Sequence, residues 1–271
     1  VTMKTLISRS AVLMGIQSLA LDAEGEYSIV AESLGGINVV LSPTSSTVIN
    51  IFDLETEIVK DEITGRERLV LNVENKVEDV TQALLTMARG STRSQEVNEL
   101  TKQIIAESVS EEYASLGING DPNSLYKTSN GSIDGNMLGR EKKEMPTIGS
   151  WYRRIQRKAE ENKNPDYSFH YSYLLKVMKQ YIREYDGQMA YFDGQSTFDL
   201  LDGTLFINLD ISQLEERFAR PLAQQILLAW IWEKYVKKNS EDRERASKKR
   251  VIVDEAWMLL PYPEAVDFLN T

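Results

Sequence analysis

Val251-Ile252-Val253-Asp254-Glu255, followed by Ala256-Trp257, decides the fold. A β-branched run that stops abruptly at two carboxylates reads as a buried central strand of an α/β sheet, with Asp254 and Glu255 at its C-terminal tip. Charged groups at the end of an apolar strand are costly unless a cation or hydrogen-bond donors meet them. Such a tip suits nucleotide hydrolysis. The first carboxylate would hold magnesium through water, and the second would polarise the attacking water. An ordinary strand running into an acidic loop is spelled the same way, so the rest of the chain has to decide.

Composition narrows the choice. The 271 residues can form one large α/β domain, or a domain with an insertion. There is no cysteine, hence no disulfide framework or zinc cluster. The single histidine, His170, sits among aromatics in Tyr167-Ser168-Phe169-His170-Tyr171 and reads as a packing residue, which removes His-based metal or triad chemistry. No apolar run approaches bilayer-spanning length and no signal peptide opens the chain, so a soluble intracellular protein is expected. A net charge of −10 argues against a protein coated by nucleic acid. Seven basic residues between Arg140 and Lys158, against Glu141 and Glu144, surround Trp151 and Tyr152. They form either a phosphate-following surface or, as such runs usually do, a solvated helix face with its aromatics turned inward.

The chain divides into three parts. Residues 1–90 alternate helix and strand. Leu6, Ala11, Val12 and Met14 give a helical stripe, Ile16 to Leu21 runs as a strand into Asp22, and Ile37 to Leu41 is a second strand closed by Ser42-Pro43. Val48 to Phe52 reads as a short third strand and Arg68 to Leu71 as an edge element, before a helix over about Val77 to Arg89. Residues 91–190 are helix-rich, with loop chemistry at Gly117 to Pro122 and Ser129 to Ser132, and read as an all-helical insertion. Residues 191–271 resume the alternation. Thr204 to Leu209 is a strand between Asp202-Gly203 and Asp210, and a long helix carries Leu222, Ile226, Leu227, Trp230, Ile231 and Val236, with Pro221 marking a kink or its start. The basic stretch from Ser240 to Lys249 leads into the Asp254 strand, and Pro261 to Thr271 follows it. Strands alternating with helices imply parallel pairing with right-handed crossovers.

A nucleotide hydrolase of this class needs a glycine-rich loop ending in Gly-Lys-Ser/Thr. Lys4-Thr5 has the last two letters, but Val1, Thr2 and Met3 stand where glycines are required. Either the chain begins just after that loop, with Val1 in the first turn of the helix it feeds, or the fold never had one. Leu34-Gly35-Gly36 is no dinucleotide fingerprint, because it precedes a strand instead of following one.

Leu21-Asp22-Ala23-Glu24-Gly25-Glu26-Tyr27 resembles the Asp-x-x-Gly-Glu-Tyr signature of the hexameric DNA-pump and secretion ATPases, the FtsK–HerA group. Ser42-Pro43, Ile49 to Asp53, Tyr191-Phe192-Asp193-Gly194, Phe206 to Asp210 and Val253 to Trp257 resemble that group's following elements in their usual order. With a helical insertion between the halves, the chain is most similar to the large conjugative-transfer ATPases of type IV secretion systems. The resemblance implies a RecA-like P-loop core with a mainly parallel sheet, and ATP with Mg2+ as cofactors. It also implies a homo-oligomer, most often a hexamer, at the cytoplasmic face of the inner membrane. There it would work beside other secretion ATPases and inner-membrane components, moving DNA or protein. Carried over residue by residue, Asp254 organises the magnesium through water and Glu255 is the general base. Asp22 joins Asp254 in nucleotide binding, and Glu24 and Glu26 lie near the γ-phosphate, although a Gly-Glu pair after a strand also caps helices. The phosphate-binding Lys and Ser/Thr have no counterpart here, nor has an arginine finger. Three function classes remain open: a secretion motor, a DNA translocase or helicase of the same superfamily, and a non-catalytic docking module.

Overall fold

A computed structural model describes residues 2–60, 66–90, 97–127, 141–198, 204–236 and 249–259. In chain order, α1 (Thr2–Met14), β1 (Gln17–Asp22), α2 (Ser28–Ser33) and β2 (Ile37–Val40) alternate as the sequence implies. An antiparallel hairpin of β3 (Glu57–Lys60) and β4 (Glu67–Val70) precedes α3 (Val73–Arg89). The helices α4 (Glu99–Ser115), α5 (Ile148–Glu161) and α6 (Pro165–Val177) follow, then β5 (Phe206–Asp210), α7 (Ala219–Ile231) and β6 (Lys249–Val253).

The main sheet has the order β2-β5-β1-β6, with every pair parallel. All four C-terminal tips therefore lie on one edge, where ligands of open α/β sheets bind. The register sets the tips level. Asp22 faces Asp210, and Leu21 faces Val253. Gly36 lets β2 enter this sheet, because a Cβ there would stand 2.1 Å from the Phe206 carbonyl oxygen.

Helix ends follow from local chemistry. Asn72 caps α3 by accepting from the Asn75 N–H, Asn98 and Thr147 form capping boxes with Thr101 and Ser150, and Pro165 starts α6 behind Asn164. In α5, Ile148, Trp151, Tyr152 and Ile155 are buried at helical spacing, while Arg154 reaches Glu112 at 2.5 Å and Lys158 reaches Glu111 at 2.6 Å on α4. The cations there form a helix face paired to its neighbour, with the aromatics inward. His170 is buried, its Nδ1 2.9 Å from the Thr101 hydroxyl. One apolar core runs from β1 and β2 through α3, α4, α5 and α6 to α7. No helix among the described residues is long and apolar enough to cross a membrane.

Several expectations need correcting. Val48 to Phe52 is not a strand but a buried irregular segment. Its N–H groups are met by the Thr197 and Ser196 hydroxyls and the Tyr191 carbonyl, which serve in place of a sheet ladder. Arg68 to Val70 pairs with β3, outside the main sheet. Among the described strands β6 stands at an edge of the main sheet and not at its centre, paired with β1 alone, and Val251 is exposed. In α1 the buried face is Ile7, Ser10 and Ala11, whereas Leu6, Val12 and Met14 face outward. The α3 helix starts at Val73, four residues before the expected Val77, because Asn72 supplies the cap. Of the two readings offered for Pro221 the second holds: it sits in the first turn of α7, where its missing N–H would have had no helical partner. Val1, Ser129 to Ser132, Arg140, Asp202-Gly203, residues 240–248 and Pro261 to Thr271 lie outside the described residues.

Candidate functional site

Asp22 closes β1 with a side chain wholly shielded from solvent. Its Oδ1 accepts from the Gly25 N–H at 2.8 Å and the Glu26 N–H at 3.1 Å. Its Oδ2 accepts from the Tyr27 N–H at 2.9 Å and from Asn208 Nδ2 at 3.1 Å. Four donors satisfy a buried carboxylate and wind the residues after Asp22 into a turn around it. Gly25, at φ +73°, supplies the left-handed step, and its bare α-carbon lets Ser212 approach. The Asn208 side chain also donates to Asn38 Oδ1 at 2.8 Å, so one buried amide ties the tip of β1 to β2.

The turn presents Glu24 and Glu26 outward, each beside a cation. Glu26 is 2.9 Å from Lys4 of α1, which hydrogen-bonds its carboxyl and holds it below the usual glutamate range. The Lys4 ammonium also lies 5.7 Å from the centre of the Tyr27 ring. Glu24 is 3.3 Å from Arg220 of α7, whose other terminal nitrogen donates to the Ser212 carbonyl at 2.8 Å.

Asp254 stands beside this turn. Its N–H donates to the Leu21 carbonyl at 3.0 Å, continuing the β1–β6 ladder one residue past β6. Its carbonyl accepts from Gln224 of α7 at 2.7 Å. Burial raises the Asp254 carboxyl above the ordinary value, and the charges of Asp22 and Glu255 raise it further. The Tyr27 hydroxyl is pushed up by burial and then by the same Asp254 and Asp22 charges. Glu255 follows with φ +50°, a left-handed conformation uncommon outside glycine, and its carboxylate accepts from the Trp257 indole N–H.

The carboxylates of Asp22, Asp254, Glu255 and Glu26 thus share one electronegative strand edge, the setting that a cation relieves. Among the described residues, no group of three or more His, Cys, Asp or Glu side chains converges closely enough to hold a metal ion by itself. Asp22 has its oxygens engaged by four donors, so of these two strand-tip aspartates Asp254 is the one that could meet a magnesium ion, through the ion's water shell. Magnesium keeps several waters in such sites, so the donor set fits.

Sequence reasoning missed Asn208, Arg220 and Gln224. Asn208 carried a signal, being an amide inside the apolar strand Phe206 to Leu209. Arg220 and Gln224 carried none, because their partners lie far away in the chain.

No protein-family model matches the sequence, and no curated protein matches it. Among solved structures, VirB4 of Thermoanaerobacter pseudethanolicus superposes with a TM-score of 0.64 at 22% identity, over 99% of this chain and 85% of that one. The two share a fold. It is an α/β fold of RecA-like type, with a mainly parallel sheet and a helical segment between the two halves that build it.

Proposed function

We propose that this chain is the ATPase part of a motor subunit that energises type IV secretion or conjugative transfer, in the FtsK–HerA group of RecA-like ATPases. The observation that carries the reading is the Asp254-Glu255 tip, level with the turn that Asp22 organises and next to α7. The likeness to VirB4 supports it. Residues 1–90 and 191–271 form the ATPase core, and residues 91–190 form a helical insertion.

ATP with Mg2+ supplies the phosphoryl group and the charge that offsets it. The protein's own part is positioning and electrostatics, which dominate phosphoryl transfer. Asp254 would hold the water shell of the magnesium ion, whose charge would favour the ionised carboxylate. Glu255 orients the attacking water and takes its proton. Asp22 serves the site by fixing the turn, so that Glu24 and Glu26 stand at its rim with their charges balanced by Arg220 and Lys4. The subunit works as a homo-oligomer, a hexamer in its active form, on the cytoplasmic face of the inner membrane. There it contacts other secretion ATPases and inner-membrane components and moves DNA or protein.

The test is nucleotide binding by the full-length protein. Titrated with a fluorescent ATP analogue, the parent protein binds more tightly with Mg2+ than with EDTA, and Asp254→Ala removes most of that difference. An unchanged magnesium dependence in the variant would contradict the role of Asp254. No binding by either protein would favour a docking module that uses this fold without chemistry.

A further inference from the structure

Gln224 is fully buried on α7, and its amide is used on one side only. Nε2 donates to the Asp254 carbonyl at 2.7 Å, while Oε1 meets no partner among the described residues. The bonded carbonyl belongs to the peptide joining Asp254 to Glu255. A peptide is planar, so the direction of that oxygen fixes the ψ of Asp254 and the φ of Glu255 together. The φ of Glu255 is +50°, and a non-glycine residue held there gains by turning the peptide over. The strain and one buried hydrogen bond are of the same order, so the Gln224 bond offsets the strain, beside the bond that the Glu255 N–H of the same peptide makes to the Asp254 carboxylate.

We propose that Gln224 is a positioning residue that clamps the Asp254–Glu255 peptide and thereby keeps the Glu255 carboxylate at the strand tip. The inference rests on the functional reading above. The site explains why a strained glutamate is retained: the Asp254 N–H is held by Leu21, its carbonyl by Gln224, and the Glu255 carboxylate by Trp257. Four residues earlier on the same helix, Arg220 engages Glu24, so adjacent turns of α7 set the tips of β6 and β1.

The test is Gln224→Met, which keeps length and volume but cannot donate, made in the full-length protein beside Glu255→Gln. Expected for Gln224→Met is a fall in kcat of at least about tenfold, with the Kd for Mg-ATP within about threefold of the parent. Without nucleotide, the Trp257 indole N–H resonance, assigned through Trp257→Phe, shifts because its acceptor on Glu255 has moved. Parental kcat together with an unmoved indole signal would overturn the clamp. If Glu255→Gln loses turnover while Gln224→Met keeps it, only the role of Gln224 fails. If Glu255→Gln turns over like the parent, the reading of the site fails, and the indole signal still reports whether Gln224 holds the peptide. Should the methionine variant not fold, Gln224→Asn, which withdraws the amide by one methylene, carries the same readouts with the same expected and overturning results.

Discussion

Asp254 carries its charge at a cost. Burial and the neighbouring Asp22 and Glu255 charges raise its carboxyl above the ordinary value of 3.8, so the folded protein binds that proton more tightly than the unfolded chain. Its contribution to stability is fully present below that ordinary value and is lost as pH rises through the folded-state value. Glu26 and Glu55 are shifted downward, and their contributions are lost as pH falls. The difference between the parent and Asp254→Asn therefore isolates one group. Measured by urea unfolding without Mg2+, the variant should gain stability over the parent as pH rises from about 4 towards 7. A constant difference across that range would mean that Asp254 is not strained by its neighbours. Asp254 and Glu255 were legible in the sequence because two carboxylates end a β-branched run. The binding state of Asp22 was not, because three of the donors that engage it are backbone groups of a turn whose shape depends on Gly25, and the fourth is the Asn208 side-chain amide, far along the chain.

At the scale of elements, the parallel strands were legible where apolar residues run together and stop at a polar tip, as in Leu19 to Asp22 and Phe206 to Asp210. The same signal misled at Val48 to Phe52. That segment is equally apolar and equally buried, but its N–H groups bond to hydroxyls of the loop carrying Ser196 and Thr197. An apolar run specifies burial, not what pairs with its backbone. Likewise α1 was legible as a helix while its inward face was not, because apolar residues occur all round it. The turn between β1 and α2 gives the prediction for this scale. Gly25→Ala must place a Cβ at φ +73° and 2.8 Å from the Ser212 hydroxyl oxygen. It should destabilise the fold by about 1–3 kcal/mol, the cost of a residue forced into such a conformation. An alanine variant as stable as the parent in urea would contradict this account of the turn.

For the whole molecule, the helical segment and the sheet share one apolar core, and a partly buried ion cluster joins them as well. Lys234 of the π-type turn after α7 contacts both Glu55 and Asp53, and Lys142, just ahead of α5, reaches the same Glu55 at 2.8 Å. Burial lowers the Lys142 ammonium while the Glu55 charge opposes it. None of this was legible as a contact, because residues 53–55, 142 and 234 are brought together by the fold alone. α7 spans the distance between that cluster and the strand tips, with Lys234 just beyond one end and Arg220 and Gln224 near the other. The central claim is that the strand tips form a site for phosphoryl transfer with Glu255 at the chemistry. The measurement that tests it most directly is steady-state ATP hydrolysis with Mg2+ by the full-length protein and by its Glu255→Gln variant. The account predicts turnover in the parent and a loss of at least about a hundredfold in the variant, with nucleotide binding retained, since general-base catalysis contributes about 10²–10⁴ in rate. Hydrolysis at the parental rate by Glu255→Gln would contradict it.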